Sequence, residues 1–262
     1  MFGFSTKRRY PDNVRLVLLL GSLACCGRIA FEPGATAQPD ASADAHAAAL
    51  TCAGTWCDGF DGPVLDPAWM IAAMDGTVVT DAGHVHDGGR ALHVHTDAIT
   101  TTTADPHATV FAYRGVTEAA ISGTVYTRAW AYFASPHPAP LFDQVINLAN
   151  DPGVGISMGA RDGFVANNDY TASVYAESTT TPLPLDRWTC LQFEMPSGTV
   201  GTARVRIDDT DVADVAIPRS SPQPAPTHIY LGLQWVGSVS SQPAVDAWFD
   251  DFEVSATPTT CN

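Results

Sequence analysis

The sequence predicts an all-β fold, a two-sheet antiparallel sandwich of jelly-roll type, and three observations carry that prediction. Charged residues are 16% of the 262-residue chain, against a usual figure of roughly 25%. There are 21 glycines and 19 prolines, the residues that separate strands with turns. Apolar residues also alternate with period two in many short runs, the pattern of strands that bury one face. These runs lie at 90–95, 125–133, 144–148, 155–159, 188–195, 203–207, 229–235 and 247–254. No stretch supports a long amphipathic helix, although 117–121 has room for a turn or two. No internal repeat is present.

Thirteen Lys and Arg face 28 Asp and Glu, a formal net charge of −15. Lys7, Arg8, Arg9 and Arg15 lie within the first 25 residues. Beyond those 25 residues, 9 cations face 27 anions, a charge near −18, and no lysine remains. Such a surface repels phosphate backbones and anionic headgroups, which excludes nucleic acid as a partner.

Residues 1–26 read as an export signal: a basic stretch, then the apolar run Leu16-Val17-Leu18-Leu19-Leu20, then small residues and two cysteines. The apolar stretch is far shorter than the ~20 residues that span a bilayer. Leu23-Ala24-Cys25-Cys26-Gly27 resembles the lipobox of bacterial lipoproteins. That resemblance implies lipidation of Cys26, with Cys25 as the other candidate, and anchorage at the outer membrane or cell surface. The membrane contact is then through the lipid alone. Residues 27–50 are rich in Ala, Pro and Asp without apolar periodicity and read as a flexible tether. Residues 51–262 suit one β domain.

Cys52, Cys57, Cys190 and Cys261 lie in that domain. An even count in an exported chain predicts two disulfides. Cys52–Cys261 with Cys57–Cys190 is one pairing; Cys52–Cys57 with Cys190–Cys261 is the other. The absence of a Cys-x-x-Cys pair argues against a thiolate zinc site.

Five segments in order resemble the concanavalin A-like (laminin-G/glucanase) jelly rolls of bacterial secreted proteins. They are Asp58-Gly59-Phe60-Asp61-Gly62 with Leu65-Asp66-Pro67-Ala68-Trp69, then His86-Asp87-Gly88-Gly89-Arg90-Ala91-Leu92-His93-Val94. Next come Thr127-Arg128-Ala129-Trp130-Ala131-Tyr132-Phe133 and Asp186-Arg187-Trp188-Thr189-Cys190-Leu191. Trp248-Phe249-Asp250-Asp251-Phe252-Glu253-Val254-Ser255 closes the set. The fold carries lectins, binding modules, glycosidases and lyases, so it does not by itself assign an activity.

Catalytic signatures are incomplete. The glucanase pattern Glu-x-Asp-x-x-Glu is absent, and the spacing in Asp250-Asp251-Phe252-Glu253 differs from it. Against alginate-type lyases, Arg128 matches the arginine strand and Gln144-Val145-Ile146 resembles the Gln-Ile-His element. Ile146, however, stands where the histidine belongs. No Gly-x-Ser-x-Gly elbow occurs. Non-catalytic carbohydrate binding is therefore the expected function. A polysaccharide-degrading enzyme, lyase before hydrolase, is the alternative, and a structural or adhesive surface protein comes third.

Arg128, Trp130 and Tyr132 alternate onto one strand face, which the resemblance assigns to the concave sheet with Gln144 and Gln234. Aromatic rings suit the C–H faces of a sugar, and a guanidinium suits its hydroxyls or carboxylate. Trp69, Trp188 and Trp248 read as core by strand context. The resemblance also implies one structural Ca²⁺, with Asp61 and Asp250 (or Asp251) as ligands. A two-residue turn at Gly88-Gly89 would pair His84 with His93 and His86 with Ala91. His84, His86, His93 and His95 would then share a face, where a transition-metal site is the sharper expectation and an exposed polar face the plainer one. The expected partner is a glycan, and the expected state is a monomer.

Overall fold

The computed structural model describes residues 54–98, 109–115, 121, 123–137, 142–151, 154–236 and 243–262. Cys52, the export signal, the tether and residues 117–120 lie outside the described residues. In chain order the strands begin with β1 (Trp56–Asp58), β2 (Met70–Met74), β3 (Gly76–Asp81), β4 (Ala91–Thr96) and β5 (Thr109–Gly115). Next are β6 (Gly123–Phe133), β7 (Phe142–Asp151), β8 (Val154–Arg161), β9 (Phe164–Asp169) and β10 (Val174–Pro182). The last are β11 (Trp188–Ser197), β12 (Gly201–Ile207), β13 (Thr210–Asp211), β14 (Ile217–Arg219), β15 (His228–Val236) and β16 (Val245–Ser255).

These form two antiparallel sheets. The first runs β13-β12-β11-β6-β16-β4-β3, with β1 added on β16 and β14 on β12; the second runs β10-β9-β8-β7-β15-β5-β2. Alternation decides what each strand sends inward. From β6, Val125, Ala129, Ala131 and Phe133 enter the core, while from β7, Ile146 and Leu148 do so. Phe249 and Phe252 are three residues apart, yet both are fully buried in the same core. A bulge in β16 explains this: the register against β6 shifts between Asp250 and Glu253, and Asp251 has φ 46°. One inserted residue turns the next side chain back to the inner face.

The opening motif is structural. Asp58 accepts the Phe60 amide N–H at 2.8 Å and the Trp69 indole N–H at 2.8 Å. That fixes Trp69 against Trp56, Phe60 and Phe252, with ring centroids 5.4–6.1 Å apart. Trp69 is core, as the sequence predicts. Trp248 is also buried, but strand register places it and the half-buried Trp188 on the outer face of the first sheet, in line with Tyr132, rather than between the sheets.

After β16 the chain turns back across that same outer face. Gln192 Nε2 donates to the Thr259 carbonyl at 2.6 Å and Arg128 Nη1 to the Thr260 carbonyl at 3.0 Å. Cys190–Cys261 closes the strap. Cys57 is also disulfide-bonded. Of the two predicted pairings, the one joining Cys57 to Cys190 and Cys52 to Cys261 is therefore incorrect. The reason is that Cys190 points outward, toward the returning carboxyl end.

The disulfide spans 71 residues, and removing a cross-link of that reach costs about 2–4 kcal/mol of stability. The double substitution Cys190→Ala with Cys261→Ala should lower the unfolding free energy by that amount in chemical denaturation. An unchanged midpoint would contradict the strap's role.

Candidate binding face

The outer face of the second sheet carries a row of side chains in direct cross-strand register. It runs Tyr113, Tyr230, Asn147, Ser157, Asn168, Tyr175 over β5, β15, β7, β8, β9 and β10. Six strands at their usual spacing make this row about 24 Å long. Alternation puts these residues outward because Ala112, Leu231, Ile146, Leu148, Met158 and Ile156 go into the core. A second row lies farther along the strands, past bulges in β15 and β7: Gln234, Gln144, Gly159, Ala166, Glu177.

Tyr113 and Tyr230 stack at 5.3 Å with planes 15° apart, and Phe111 meets Tyr230 edge-on at 5.7 Å. Asn147 Nδ2 donates to Gln144 Oε1 at 3.3 Å. Asn147 is 8% exposed, and its Oδ1 is enclosed with no hydrogen-bond partner. Tyr113, Asn168, Tyr175, Tyr230 and Gln234 keep part of their surface in solvent. At one end Arg161 lies over the Tyr175 ring at 4.9 Å, with its Nε 3.6 Å from Glu177. His228 is at the other end, its Nδ1 2.9 Å from Thr227 Oγ1. The chemistry is aromatic surface beside neutral amides and hydroxyls.

The predicted binding residues divide between the two sheets. Gln144 and Gln234 face each other on the second sheet. Arg128, Trp130 and Tyr132 stand on the first, so the five do not form one site. On that first face Arg128 pairs with Glu253 at 3.1 Å beneath the carboxyl-terminal strap. His86 stacks on Trp130 at 3.9 Å, and His84 stacks on Tyr132 at 4.2 Å and packs on Trp248 at 4.3 Å. The Trp130 and Tyr132 rings thus each already have one of the protein's own imidazoles stacked on them and keep only part of their surface in solvent. The split also separates Arg128 from Gln144, and Ile146 is fully buried, so the lyase-like trio is not assembled.

The four histidines do share a face, but not through the predicted hairpin. β4 begins at Ala91 and pairs with β3, with Val79 opposite His93, and residues 82–90 form a loop. Aspartates hold that loop. Asp250 accepts the His86 N–H at 2.9 Å, and Asp61 accepts the Gly89 N–H at 2.6 Å. Gly88 has φ +72°, and a Cβ there would collide with the Asp61 carboxylate, so glycine is required at this position.

In this arrangement Asp61 and Asp250 are committed to amide donors, whereas a calcium ion needs converging acceptor oxygens. They do not fit the implied ion. His93 lies between Asp81 at 2.7 Å and Asp246 at 2.8 Å, and His95 reaches the same Asp246 oxygen at 2.8 Å and Asp97 at 3.5 Å. These ring nitrogens are occupied by carboxylates. Among the described residues no group of three or more His, Cys, Asp or Glu is placed to hold a metal. Burial alone would raise the Asp246 carboxyl, but hydrogen bonds from His95 and His93 hold it below the usual value.

Every arginine of 51–262 has a partner within the chain. Arg128, Arg161, Arg187, Arg206 and Arg219 meet Glu253, Glu177, Asp208, Asp211 and Asp169. Arg204 stands opposite Glu194 on β11. Arg90 donates to the Thr80 carbonyl at 3.0 Å, and Arg114 lies over Trp56 at 4.5 Å.

The row residues Tyr113, Asn147, Asn168, Tyr175 and Tyr230 are absent from the sequence-level expectation. β5 carries apolar side chains on both faces (Val110 and Ala112 inward, Phe111 and Tyr113 outward), which hides its period. β9 and β10 are too polar to register as strands. The signal available was the His228-x-Tyr230-x-Gly232-x-Gln234 alternation on β15.

Two antiparallel sheets with strands in this order define a jelly-roll sandwich of the concanavalin A-like type. No protein-family model and no curated sequence matches the chain. The structure is similar to that of Cip1, a cellulose-induced protein, with TM-score 0.62 and 17% identity over 79% of this chain and 100% of that one. An endo-β-1,4-glucuronan lyase from the fungus Trichoderma reesei superposes with TM-score 0.57 and 11% identity, over 78% of this chain and 96% of its own. At these identities the likeness is one of fold.

Asp250 is fully buried, and burial pushes its carboxyl up to about 7 against the pull of its N–H donors. The folded value lies above the unfolded one, so the unfolded chain releases this proton first as pH rises. Stability from this group therefore falls between about pH 4 and pH 7 and returns on acidification. Asp250→Asn should flatten that part of the profile, read from denaturation midpoints across the range. An unaltered slope would show that Asp250 does not titrate there.

Proposed function

We propose that this protein is an exported, lipid-anchored, non-catalytic glycan-binding module whose ligand lies across the outer face of the second sheet. The registered row from Tyr113 to Tyr175 is the observation that carries the reading. Sugars present apolar C–H faces and rings of hydroxyls, and this row offers a stacked tyrosine pair for the first and amides for the second. Its length accommodates several sugar units of an extended chain. The two structural neighbours, one cellulose-induced and one a glucuronan lyase, are in keeping with a polysaccharide ligand.

A non-catalytic role is supported by the way the reactive groups are used. Glu177 is bound to Arg161 and to the Tyr175 hydroxyl, and Arg128 and Gln144 are on different sheets. The anchor reading rests on the basic segment, the apolar run and the lipobox-like Leu23–Cys26 sequence. A tether over 27–50 would hold the domain clear of the membrane surface.

Tyr113→Ala and Tyr230→Ala should each weaken binding of the full-length protein to its best polymer on a glycan array at least about tenfold, with the fold unchanged by circular dichroism. The array is run with and without Ca²⁺, and unaltered binding in the variants would move the site elsewhere. Release of unsaturated products from any polymer would replace the binding reading with a lyase. For the anchor, Cys26→Ser should abolish incorporation of labelled palmitate in a bacterial host and Cys25→Ser should not. Incorporation retained in both would contradict lipidation at this motif.

A further inference from the structure

We infer that the ligand of this face is an uncharged polysaccharide and that polyuronates are rejected. This rests on the glycan-binding reading and names the substrate class within it. Three observations lead there.

The first is the state of the cations. Among the described residues one arginine stands at the row, Arg161, with its Nε 3.6 Å from Glu177 and 3.7 Å from Asp162. Two carboxylates thus balance its charge, and the other seven arginines of 51–262 are engaged elsewhere. Recognition of an anionic polymer needs free cationic donors at its repeat, and among the described residues His228 at the end of the row is the one further ionisable cation on this face.

The second is the field. Residues 51–262 carry 8 arginines, no lysine and 24 carboxylates. A polymer with one negative charge per sugar must approach against that excess, and the repulsion acts over a Debye length of about 8 Å at physiological salt.

The third is hydrogen-bond polarity at the centre of the row. The Asn147 amide has spent a donor on Gln144, and its Oδ1 is an enclosed acceptor without a partner. An unsatisfied buried acceptor is costly and is relieved only by a donor. A neutral sugar presents donor hydroxyls at every free position, whereas a uronate replaces the one at C6 with a carboxylate, which only accepts.

The test is biolayer interferometry of the full-length protein in detergent on immobilised hydroxyethylcellulose and on polyglucuronate of matched length, each at low and high salt. The expected result is binding to the uncharged polymer that changes less than about twofold with salt, and binding to polyglucuronate at least about tenfold weaker at low salt. Glu177→Gln, which leaves Arg161 without that carboxylate, should narrow the ratio between the two polymers. Equal or tighter binding of polyglucuronate would overturn the substrate class while leaving glycan binding intact. Binding to neither polymer, nor to any other uncharged glycan on the array, would overturn the glycan-binding reading itself.

Discussion

Each sheet of a sandwich has two faces, and the inner pair is consumed by the core; what the molecule can do depends on the outer pair. Here one of them is already occupied by the chain itself. The carboxyl-terminal strap covers Arg128 and Gln192, and the 82–90 loop lays His84 and His86 on Tyr132 and Trp130. Three aspartates, Asp61, Asp250 and Asp251, hold that loop through its amides and the His86 ring. The chemistry left for a ligand is therefore on the second sheet. That single steric fact turns a set of attractive aromatics into structural packing and a set of unremarked tyrosines and amides into the binding face.

Much of the fold was legible from alternation. All eight sequence-predicted runs are strands, because each buries one face against the opposite layer. β2, β3, β5, β9 and β10 were not visible: they are edge strands, polar strands, or strands with apolar groups on both sides, and period two is blurred in each case. The site was less legible for a related reason. Alternation assigns a residue to a face of its own strand, but it does not say which sheet that strand joins. Arg128 and Gln144 were therefore placed together, although β6 pairs with β11 and β16 while β7 pairs with β8 and β15. The outward aim of Cys190 likewise depends on where the chain end returns, which spacing does not reveal.

The acidic residues show how one composition serves several ends. Asp58 orders the first loop, Asp61 ties it to the 82–90 loop, Asp81 and Asp246 hold His93, and Asp208 accepts both the Cys190 amide at 2.9 Å and the Arg187 guanidinium at 3.0 Å. The by-product is a domain whose arginines are all spoken for, and such a domain meets uncharged ligands on easier terms than charged ones.

Hydroxyl-radical footprinting with a bound uncharged oligosaccharide tests the central claim most directly, because it reads both outer faces in one experiment. The account requires protection of Tyr113, Tyr175 and Tyr230, with Trp130, Tyr132 and Trp188 unchanged. Protection confined to those three first-sheet rings would place the ligand on the opposite face and contradict the account.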